Sequence, residues 1–322
     1  MSSAAVVVVT FEPDLALLAI NLTRLKAAAG PVVVFDNSDP GSVAEAVRAV
    51  CRAAGVGYLG GAGNVGVATA QNTAVKWLES APVDRVVFLD QDSKVADDLI
   101  PRLQQSYGDL KRVDPQAGVL GALPIREDGT AYPVPVLGRQ GRFLRVDFAI
   151  SSGSIVGLTE LRGAGGFRDD LFIDLVDNEL CWRMQRAGRA SYVDPTVQLL
   201  HQVGTGRMVA LAGRRTPVSA PFRNYYQVRN WILVGRAGLV PWRRVLRGVV
   251  FRCSAALLSG GAEGRALERL RFLARGIRDG IRGVGGCYDA RPTRKSRPSV
   301  EGSPRSHQGC FLRRFRVPRA KR

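Results

Sequence analysis

The chain has 322 residues, 46% of them apolar and 23% charged, which is ordinary for a globular protein and enough for one large domain with an appendage. Its net charge of +18 is unevenly placed, because residues 1–221 hold 22 Lys/Arg against 23 Asp/Glu, whereas residues 222–322 hold 24 basic and 5 acidic side chains. The last third is therefore a basic block, which favours an anionic partner such as lipid headgroups, nucleic acid or a polyanionic substrate.

Cysteine usage and the N-terminus indicate the compartment. The five cysteines contain no Cys-x-x-Cys pair, which argues against a disulfide framework or a zinc site and fits a reducing cytosol. No charged segment followed by an apolar one opens the chain, and no apolar run approaches the roughly 20 residues of a membrane-spanning helix. We therefore expect a cytoplasmic protein, soluble or peripheral at the inner face of the cell membrane.

The first elements predict a β-α-β unit with parallel strands and a right-handed crossover. Residues 4–10 and 31–35 have the apolar pattern of buried strands, and leucines at helical spacing from Leu15 lie between them until Gly30. The second strand stops at Asp36, Asn37 and Ser38. Asp36 is suited to accept hydrogen bonds from a base or ribose, and the alternative is an ordinary polar turn.

A glycine-rich turn follows the third predicted strand. Residues 42–53 are predicted to be helical, residues 56–59 to be a strand, and residues 67–78 a helix after the glycine-rich segment 60–66. Such a turn at a helix start presents backbone N–H groups to an anion. It is neither a P-loop, since no Gly-Lys-Ser/Thr follows, nor a good dinucleotide fingerprint, since it does not follow the first strand.

The most informative stretch is residues 85–92, an apolar strand that stops at two carboxylates. Asp90 and Asp92 can face one site, because residues i and i+2 of an extended chain point the same way. Two adjacent like charges repel unless a cation lies between them, and carboxylates suit a hard ion such as Mg²⁺ or Mn²⁺. Ligands of open α/β sheets bind beyond the carboxyl ends of strands. The alternative is a solvated, Asp-rich turn.

The middle of the chain continues the alternation of strands and helices. We predict a helix over 96–107, a strand over 117–123, a loop or irregular hairpin over 124–144 and a strand over 146–150. A passage of small residues and a further strand follow over 151–157, then a loop over 165–174 and a helix over 176–188. One strand over 190–193 and another that ends at His201 complete this part of the chain. Asp174, Asp177 and Glu179 lie at the start of the 176–188 helix. They either stabilise its dipole or include a general base. His201 is either structural or a ligand.

The order and spacing of these motifs resemble the family 2 glycosyltransferases of GT-A fold. The motifs are Asp36-Asn37, Gly63-Asn64-Val65-Gly66 with Asn72, Asp90-Gln91-Asp92, Ser152-Gly153-Ser154, Gly166-Phe167, Asp177-Asn178-Glu179-Leu180 with Arg183, and His201. Within the family, bacterial rhamnosyltransferases of polysaccharide assembly are most similar, through Phe172-Ile173-Asp174, Arg223-Asn224-Tyr225-Tyr226 and Val228-Arg229-Asn230. Galactofuranosyltransferases share much of the pattern. The resemblance covers residues 4–235.

The resemblance implies an α/β fold of GT-A (Rossmann-like) type, with a mixed, mostly parallel sheet flanked by helices. This domain would span residues 1–221. Residues 222–286 would form a basic amphipathic helical region, and residues 287–322, rich in Arg, Pro, Ser and Gly, a disordered basic tail.

The resemblance also implies the ligands and the residues that bind them. The donor would be a nucleotide sugar, dTDP-β-L-rhamnose, and the acceptor a saccharide, lipid-linked. Mg²⁺ or Mn²⁺ would bind Asp92 and His201, with Asp90 a further ligand or near the ribose. Asp177 would be the catalytic base of an inverting transfer, although Val176 and Glu179 replace acids of the family pattern. The donor site would comprise Thr10, Glu12, Asp36, Asn37, Gly63, Asn64, Asp90, Gln91 and Gly153.

The sequence of residues 222–284 predicts amphipathic helices with a cationic face. One interpretation is docking on an anionic membrane surface close to a lipid-linked acceptor. The other is a helical subdomain that packs on the core with solvated arginines. A nucleotidyltransferase is disfavoured because Thr10-Phe11-Glu12-Pro13 stands where its phosphate loop would be. A non-enzymatic RNA- or membrane-binding protein would leave the acidic motifs unexplained, and we expect no specific nucleic-acid partner.

Overall fold

The computed structural model describes residues 4–61, 63–201, 208–211 and 214–288. The strands are β1 Ala5–Thr10, β2 Val32–Asp36, β3 Gly57–Gly60, β4 Arg85–Asp90, β5 Ser93–Lys94, β6 Val119–Ile125, β7 Val136–Gln140, β8 Phe143–Val146, β9 Ser154–Gly157, β10 Ser191–His201, β11 Met208–Leu211 and β12 Arg214–Pro217. The helices are α1 Leu15–Ala28, α2 Ser42–Ala54, α3 Val67–Trp77, α4 Leu99–Val113, α5 Leu158–Gly163, α6 Val176–Arg186, α7 Arg223–Arg236, α8 Trp242–Glu263 and α9 Ala266–Arg282. The predicted disordered tail lies outside the described residues, except for 287 and 288.

A mixed sheet in the order β3-β2-β1-β4-β9-β6-β10-β8-β7 organises the fold, with β5 paired to β10. Strands β1 to β4 are mutually parallel, which confirms the predicted β-α-β unit. In the other half, β6 and β10 are parallel and the remaining pairs are antiparallel. Thr10 lies opposite Asp36, and Val9 lies opposite Asp90. The polar ends of three strands therefore meet at one edge of the sheet.

The sheet is buried on both faces, as the continuous apolar strands indicated. Successive side chains of a strand point to opposite faces. Val7 and Val9 accordingly pack in one core cluster and Val6 and Val8 in another, and every residue of β1 is buried. Helices cover the two clusters, which is the layered arrangement that runs of four or more apolar strand residues require.

Several predicted boundaries differ from the structure. Helix α4 runs from Leu99 to Val113 instead of 96–107, because the residues before it form β5 and the Val95 amide donates to the Asn21 side chain at 3.1 Å. The segment predicted to be a loop or irregular hairpin contains the β7–β8 hairpin, which ends at Val146, so the strand predicted over 146–150 is wrong beyond Val146; Asp147 leaves the sheet to pair with Arg244. The two strands predicted over 190–201 are one strand, β10, with a register shift between Asp194 and Gln198. Pro195 lies within the shift and has no N–H to continue the ladder.

Two expectations about the environment of the chain need correction. Helix α8 is long and apolar enough to cross a membrane by length and composition, with a mean hydropathy of 1.3 over its best window, of which 22% is buried. Interspersed arginines hid this run in the sequence. Cys51, Cys181 and Cys253 are free thiols as expected, but Cys287 takes part in a disulfide bond.

Candidate active site

Asp90, Asp92 and His201 form a group that could hold a metal ion at the polar edge of the sheet. One ligand atom from each lies within 4.8 Å of the others. Asp90 ends β4, and β5 follows directly, so that Ser93 lies opposite His201 of β10. The Ser93 hydroxyl is 3.0 Å from His201 Nδ1, and Asp92 Oδ1 is 3.4 Å from the same nitrogen. The predicted approach of His201 to the two carboxylates is thus present.

The electrostatics of this group fit a divalent cation. Burial, then the charges of Asp92 and Asp177, raises the pKa of Asp90 to about 8. Burial lowers the pKa of His201, although the Asp92 charge opposes this, which favours the neutral imidazole that metals bind. An octahedral ion about 2.1 Å from its ligands separates opposite ligands by about 4.2 Å. Small side-chain adjustments would bring two oxygens and one nitrogen to that spacing, and such a donor set suits Mn²⁺ as well as Mg²⁺.

Asp177 faces the same site from the first turn of α6. Its charge raises the pKa of Asp90, which requires the two carboxyl groups to be close. Burial also raises the pKa of Asp177 itself, and hydrogen bonding from Ser151 partly offsets that effect. A carboxylate made more basic by burial, next to a cation site, has the properties of a general base. Its role as the base remains a prediction.

The loop that precedes α6 is held in a strained conformation. Phe172, Asp174 and Leu175 have φ angles of 65°, 66° and 62°, a region that costs side-chain-bearing residues about 1–3 kcal/mol each. Asn230 of α7 compensates by donating its amide to the carbonyls of Leu171, Ile173 and Asp174 at 3.0, 2.8 and 2.7 Å.

The sequence predicted no structural role for Asn230 or for its neighbour Arg229. Both residues were noted only as parts of a family motif. Arg229 donates to the carbonyls of Asp170 and Leu171 at 3.1 and 2.8 Å. Both side chains are fully buried. The available signal was that two strongly polar residues stand directly before the apolar run 231–234 of α7, where burial requires partners.

Arg223 connects this loop to the acidic group. Its guanidinium binds both carboxylate oxygens of Asp174, at 2.7 and 3.1 Å. The same positive charge lowers the pKa values of Asp90 and Asp92. Arg223 therefore stands between the strained loop and the metal-binding group.

Asp36 is at the centre of the predicted nucleoside pocket and is fully buried. Its Oδ1 accepts hydrogen bonds from Thr10 Oγ1 at 3.0 Å, from Ser38 Oγ at 2.7 Å and from the Ser38 amide at 3.1 Å. Oδ2 has a longer contact, 3.4 Å, with the Tyr58 hydroxyl. Asp36 thus holds the ends of β1 and β2 together at the predicted pocket. Its Oδ2 is the oxygen that could accept a further hydrogen bond.

The glycine-rich turn is tied to the second strand. Asn37 Oδ1 accepts from the Val65 amide at 3.0 Å, and Asn64 Oδ1 accepts from the Gly66 amide at 2.9 Å. Gly63 has a φ of +79°, which side-chain-bearing residues rarely adopt. These contacts hold the glycine-rich turn against Asn37, the residue that follows Asp36.

The remaining predicted donor-site residues join strand ends. The side-chain amide of Gln91 makes two hydrogen bonds to the backbone of Phe11: Nε2 donates to the carbonyl at 3.0 Å, and Oε1 accepts from the amide N–H. Glu12 follows with a φ of 47°, and its amide donates to Ser38 Oγ at 2.8 Å. Gly153 has a φ of +76°, and a Cβ there would lie 2.7 Å from Leu199 Cδ2. Gln91 and Glu12 shape the rim, and Gly153 admits the close approach of β10.

Two motif residues have structural partners. Glu179 is buried and binds Arg183 one turn further along α6, at 2.6 and 3.1 Å. Asn72 holds the loop after α5 through two hydrogen bonds to the backbone of Phe167. Its Nδ2 donates to the Phe167 carbonyl at 2.7 Å, and its Oδ1 accepts from the Phe167 amide at 2.8 Å. Of the two acids at positions 177 and 179, Asp177 is the one that acts on the metal group.

Comparison with known proteins supports the class that this fold and site define. No protein-family profile matches the chain. The dTDP-rhamnosyl transferase RfbF of Shigella flexneri is 29% identical over 309 residues, which are 90% of this chain and 99% of that protein.

Solved glycosyltransferases share the fold. The mannosyltransferase PcManGT of Pyrobaculum calidifontis, in complex with GDP-Man and Mn²⁺, has a TM-score of 0.52 at 13% identity, covering 87% of this chain and 88% of that one. S. aureus TarS 1–349 in complex with UDP-GlcNAc has a TM-score of 0.53 at 16% identity, covering 88% of this chain and 82% of that one.

The chain is therefore a glycosyltransferase with the GT-A fold. Within that class it is like the enzymes of family 2, as its motifs indicated.

Proposed function

We propose that the protein transfers L-rhamnose from dTDP-β-L-rhamnose to a saccharide acceptor in the assembly of a bacterial cell-surface polysaccharide. The observation that carries the donor assignment is the 29% identity to a dTDP-rhamnosyl transferase along 90% of this chain. The relative is matched over 99% of its own length, so the likeness includes α7 to α9 as well as the catalytic core.

The nucleoside would lie against the polar ends of β1 and β2. Thr10 and Asp36 are joined by a 3.0 Å hydrogen bond there, and Asn64 approaches through the glycine-rich turn. The turn places backbone amides at the N-terminus of α3, where they favour a phosphate. Glu12, Asn37, Gly63, Gln91 and Gly153 would form the rest of the pocket.

Asp90, Asp92 and His201 would hold Mg²⁺ or Mn²⁺, whose positive charge would neutralise charge developing on the departing diphosphate. The chain itself contributes Asp177. Its carboxylate, made more basic by burial, takes the proton of the acceptor hydroxyl as that oxygen attacks the anomeric carbon from the face opposite the diphosphate. One displacement inverts that carbon, so a β-rhamnosyl donor gives an α-rhamnoside.

A donor panel tests this assignment. The full-length protein is incubated with Mn²⁺ and dTDP-rhamnose, UDP-galactofuranose, UDP-GlcNAc or GDP-mannose. Release of nucleoside diphosphate is measured with and without a lipid-linked saccharide acceptor. We expect dTDP-rhamnose to be preferred. Preference for UDP-galactofuranose would replace rhamnosyl with galactofuranosyl transfer, and preference for another donor would reject both sugars.

The protein also presents a surface suited to the inner face of the cell membrane. Trp242, Leu246 and Val250 follow one another at i+4 on α8 and are 58%, 64% and 55% exposed. On α9, Leu267 and Ile281 are 62% and 60% exposed. Exposed arginines flank them, at 243, 247, 271, 278 and 282.

This apolar face with a basic border is complementary to an anionic bilayer. The opposite face of α8 packs on α7, with Val245 fully inside the core. A helix with one packed face and one exposed apolar face fits the plane of the interface better than a membrane crossing. We therefore propose peripheral docking, with a lipid-linked acceptor within reach.

A further inference from the structure

Arg252 occupies an inward position on α8. The inward stripe of this helix consists of residues spaced four and three apart, namely Val245, Val249, Arg252, Ala256 and Ser259. Val245, Ala256 and Ser259 are buried, and Val249 packs against two core clusters. An arginine in such a stripe has lost much of its hydration, so its five N–H donors require acceptors from the protein or from a ligand.

The two fully buried arginines of the three C-terminal helices, Arg229 and Arg269, have such acceptors. Arg229 donates to the Leu171 carbonyl at 2.8 Å, and Arg269 donates to Asn224 at 2.8 Å and to Glu263 at 2.7 Å. Arg252 donates no hydrogen bond and forms no ion pair with any residue that the structure describes. Its guanidinium lies 5.8 Å from the ring of Phe251. Within the part of the chain that the structure describes, its donors have no acceptor, and an anion could take that place.

The packing of α8 on α7 places Arg252 on the side of the reaction centre. Gly235 is packed against Val245 and Gly248 against Trp231, so the two helices run antiparallel. One turn beyond Gly248, Arg252 lies beside the N-terminal half of α7, which starts at Arg223. Consistent with this, the charges of Asp174 and Arg223 both act on Arg252, the first raising and the second lowering its pKa, although burial has the largest effect.

Arg223 stands beside the acidic metal group, and Arg252 lies within electrostatic range of Arg223. Arg223 is neutralised by Asp174 and also acts on Asp90 and Asp92. Arg252 adds a second cation, which forms no ion pair with a described residue. This order, from the carboxylates through the Arg223–Asp174 ion pair to Arg252, matches a ligand that bears several negative charges in a row, one end bound through a metal and the other by arginine.

We propose that Arg252 binds a diphosphate ester by donating hydrogen bonds to its terminal phosphate oxygens. The inference rests on the proposed function, because it assigns Arg252 to the same site. The source that the geometry favours is the nucleoside diphosphate of the donor, since Arg252 lies near Arg223, whose charge acts on both Asp90 and Asp92. A diphosphate-linked acceptor lipid carries the same chemistry, and the experiment separates the two.

The test compares the wild type with Arg252→Gln and Arg252→Lys. Arg186→Gln serves as the matched control, because Arg186 is exposed on α6 and donates no hydrogen bond to a described residue. Titration calorimetry with Mn²⁺ measures the affinities for dTDP and dTMP. Since a hydrogen bond to a charged group contributes about 1.5–3 kcal/mol, Arg252→Gln should weaken dTDP binding about tenfold or more. It should change dTMP binding less than about threefold, and Lys should restore part of the loss.

The fold is checked by thermal unfolding. Because Arg252 has no partner among the described residues, Arg252→Gln should leave the Tm of the ligand-free protein unchanged or higher, and should reduce the Tm increase that dTDP causes. A clear loss of Tm without ligand, with dTDP affinity unchanged, would assign Arg252 a structural role and overturn the inference.

A further arm distinguishes the ligand source. If dTDP affinity is unchanged but the KM for a diphosphate-linked acceptor rises relative to a phosphate-free acceptor analogue, the diphosphate is that of the acceptor. If neither changes, the inference is wrong. Failure of the wild type to bind dTDP while it binds UDP or GDP rejects the rhamnosyl donor alone, and Arg252 is then tested with the nucleotide that binds.

Discussion

Asn230 on α7 donates its side-chain amide to the backbone carbonyl of Asp174 at 2.7 Å, which fixes the chain just before Asp177 enters α6. The same amide reaches Leu171 and Ile173. The position of the candidate base therefore depends on a helix that lies outside the predicted catalytic domain, and this dependence gives the first prediction.

Asn230→Ala should lower kcat about tenfold or more while the donor KM changes little, because Asp177 is displaced and the nucleoside pocket is not. Stability should fall by about 1–3 kcal/mol, since the carbonyls of Leu171, Ile173 and Asp174 lose a donor. Steady-state kinetics and urea unfolding measure the two effects. Gln105→Ala, which removes an exposed amide on α4, is the control. A donor KM that rises as much as kcat falls would contradict a positioning role.

Asp177→Asn should abolish turnover and leave donor binding intact. Loss of a general base costs about 10²–10⁴ in rate, and the amide is nearly isosteric with the carboxyl group. Single-turnover transfer and dTDP calorimetry check this prediction. Asp97→Asn, at a side chain that is 85% exposed, should be fully active. Wild-type turnover in Asp177→Asn would remove Asp177 from the mechanism.

Chelation should remove activity, and added Mg²⁺ or Mn²⁺ should restore it. Asp92→Asn and His201→Gln each remove one ligand of the proposed site, so each should raise the Mn²⁺ concentration needed for half-maximal rate by about tenfold or more. The rate measured across a Mn²⁺ titration gives this value. Turnover that persists in excess EDTA would exclude a metal role for these residues.

The affinity for Mn²⁺ should weaken as the pH falls below about 8. The pKa of Asp90 in the metal-free protein is raised to about 8, so below that pH the carboxyl group carries a proton that a metal ion must displace. Each unit of pH below that value should then reduce the affinity about tenfold until a second group titrates. Calorimetry in buffers of different ionisation enthalpy should detect the released proton. Equal affinity at all pH values between 6 and 9 would refute this linkage.

Leu246→Asp and Leu267→Asp should weaken binding to anionic vesicles without loss of activity on a soluble acceptor. Both side chains are exposed on the proposed docking face, so a charge there disrupts burial in lipid but not the fold. Flotation with vesicles of phosphatidylglycerol and phosphatidylcholine measures binding, which should also decline with salt. Val113→Asp, at an exposed valine of α4, is the control. Equal flotation of all variants would reject this surface.

Much of the fold follows from local pattern. The runs at residues 4–10, 31–35 and 85–89 predicted buried strands because alternate side chains of a strand point to opposite faces, so a strand covered on both sides must be apolar throughout. The carboxyl ends of parallel strands share one edge, so the sequence also predicted that Asp36 and Asp90 lie at the same side of the sheet. The continuous β10 was missed because Pro195 interrupts the local strand pattern, and only the pairing with neighbouring strands shows that β10 continues past its register shift.

The sequence by itself determined the alternation of strands and helices and the acidic motif, because these depend on adjacent residues whose periodicity and chemistry act over one strand or one helical turn. The choice of Asp177 as the candidate base came from the resemblance to family 2 glycosyltransferases. Only the tertiary structure decided that Glu179 pairs with Arg183, that Asn230 secures a loop 56 residues earlier in the chain, and that Arg252 faces inward without a partner among the described residues. These facts depend on which surfaces of distant segments meet. Packing of the whole chain settles that choice, since a buried polar side chain must find its partner wherever the fold brings one.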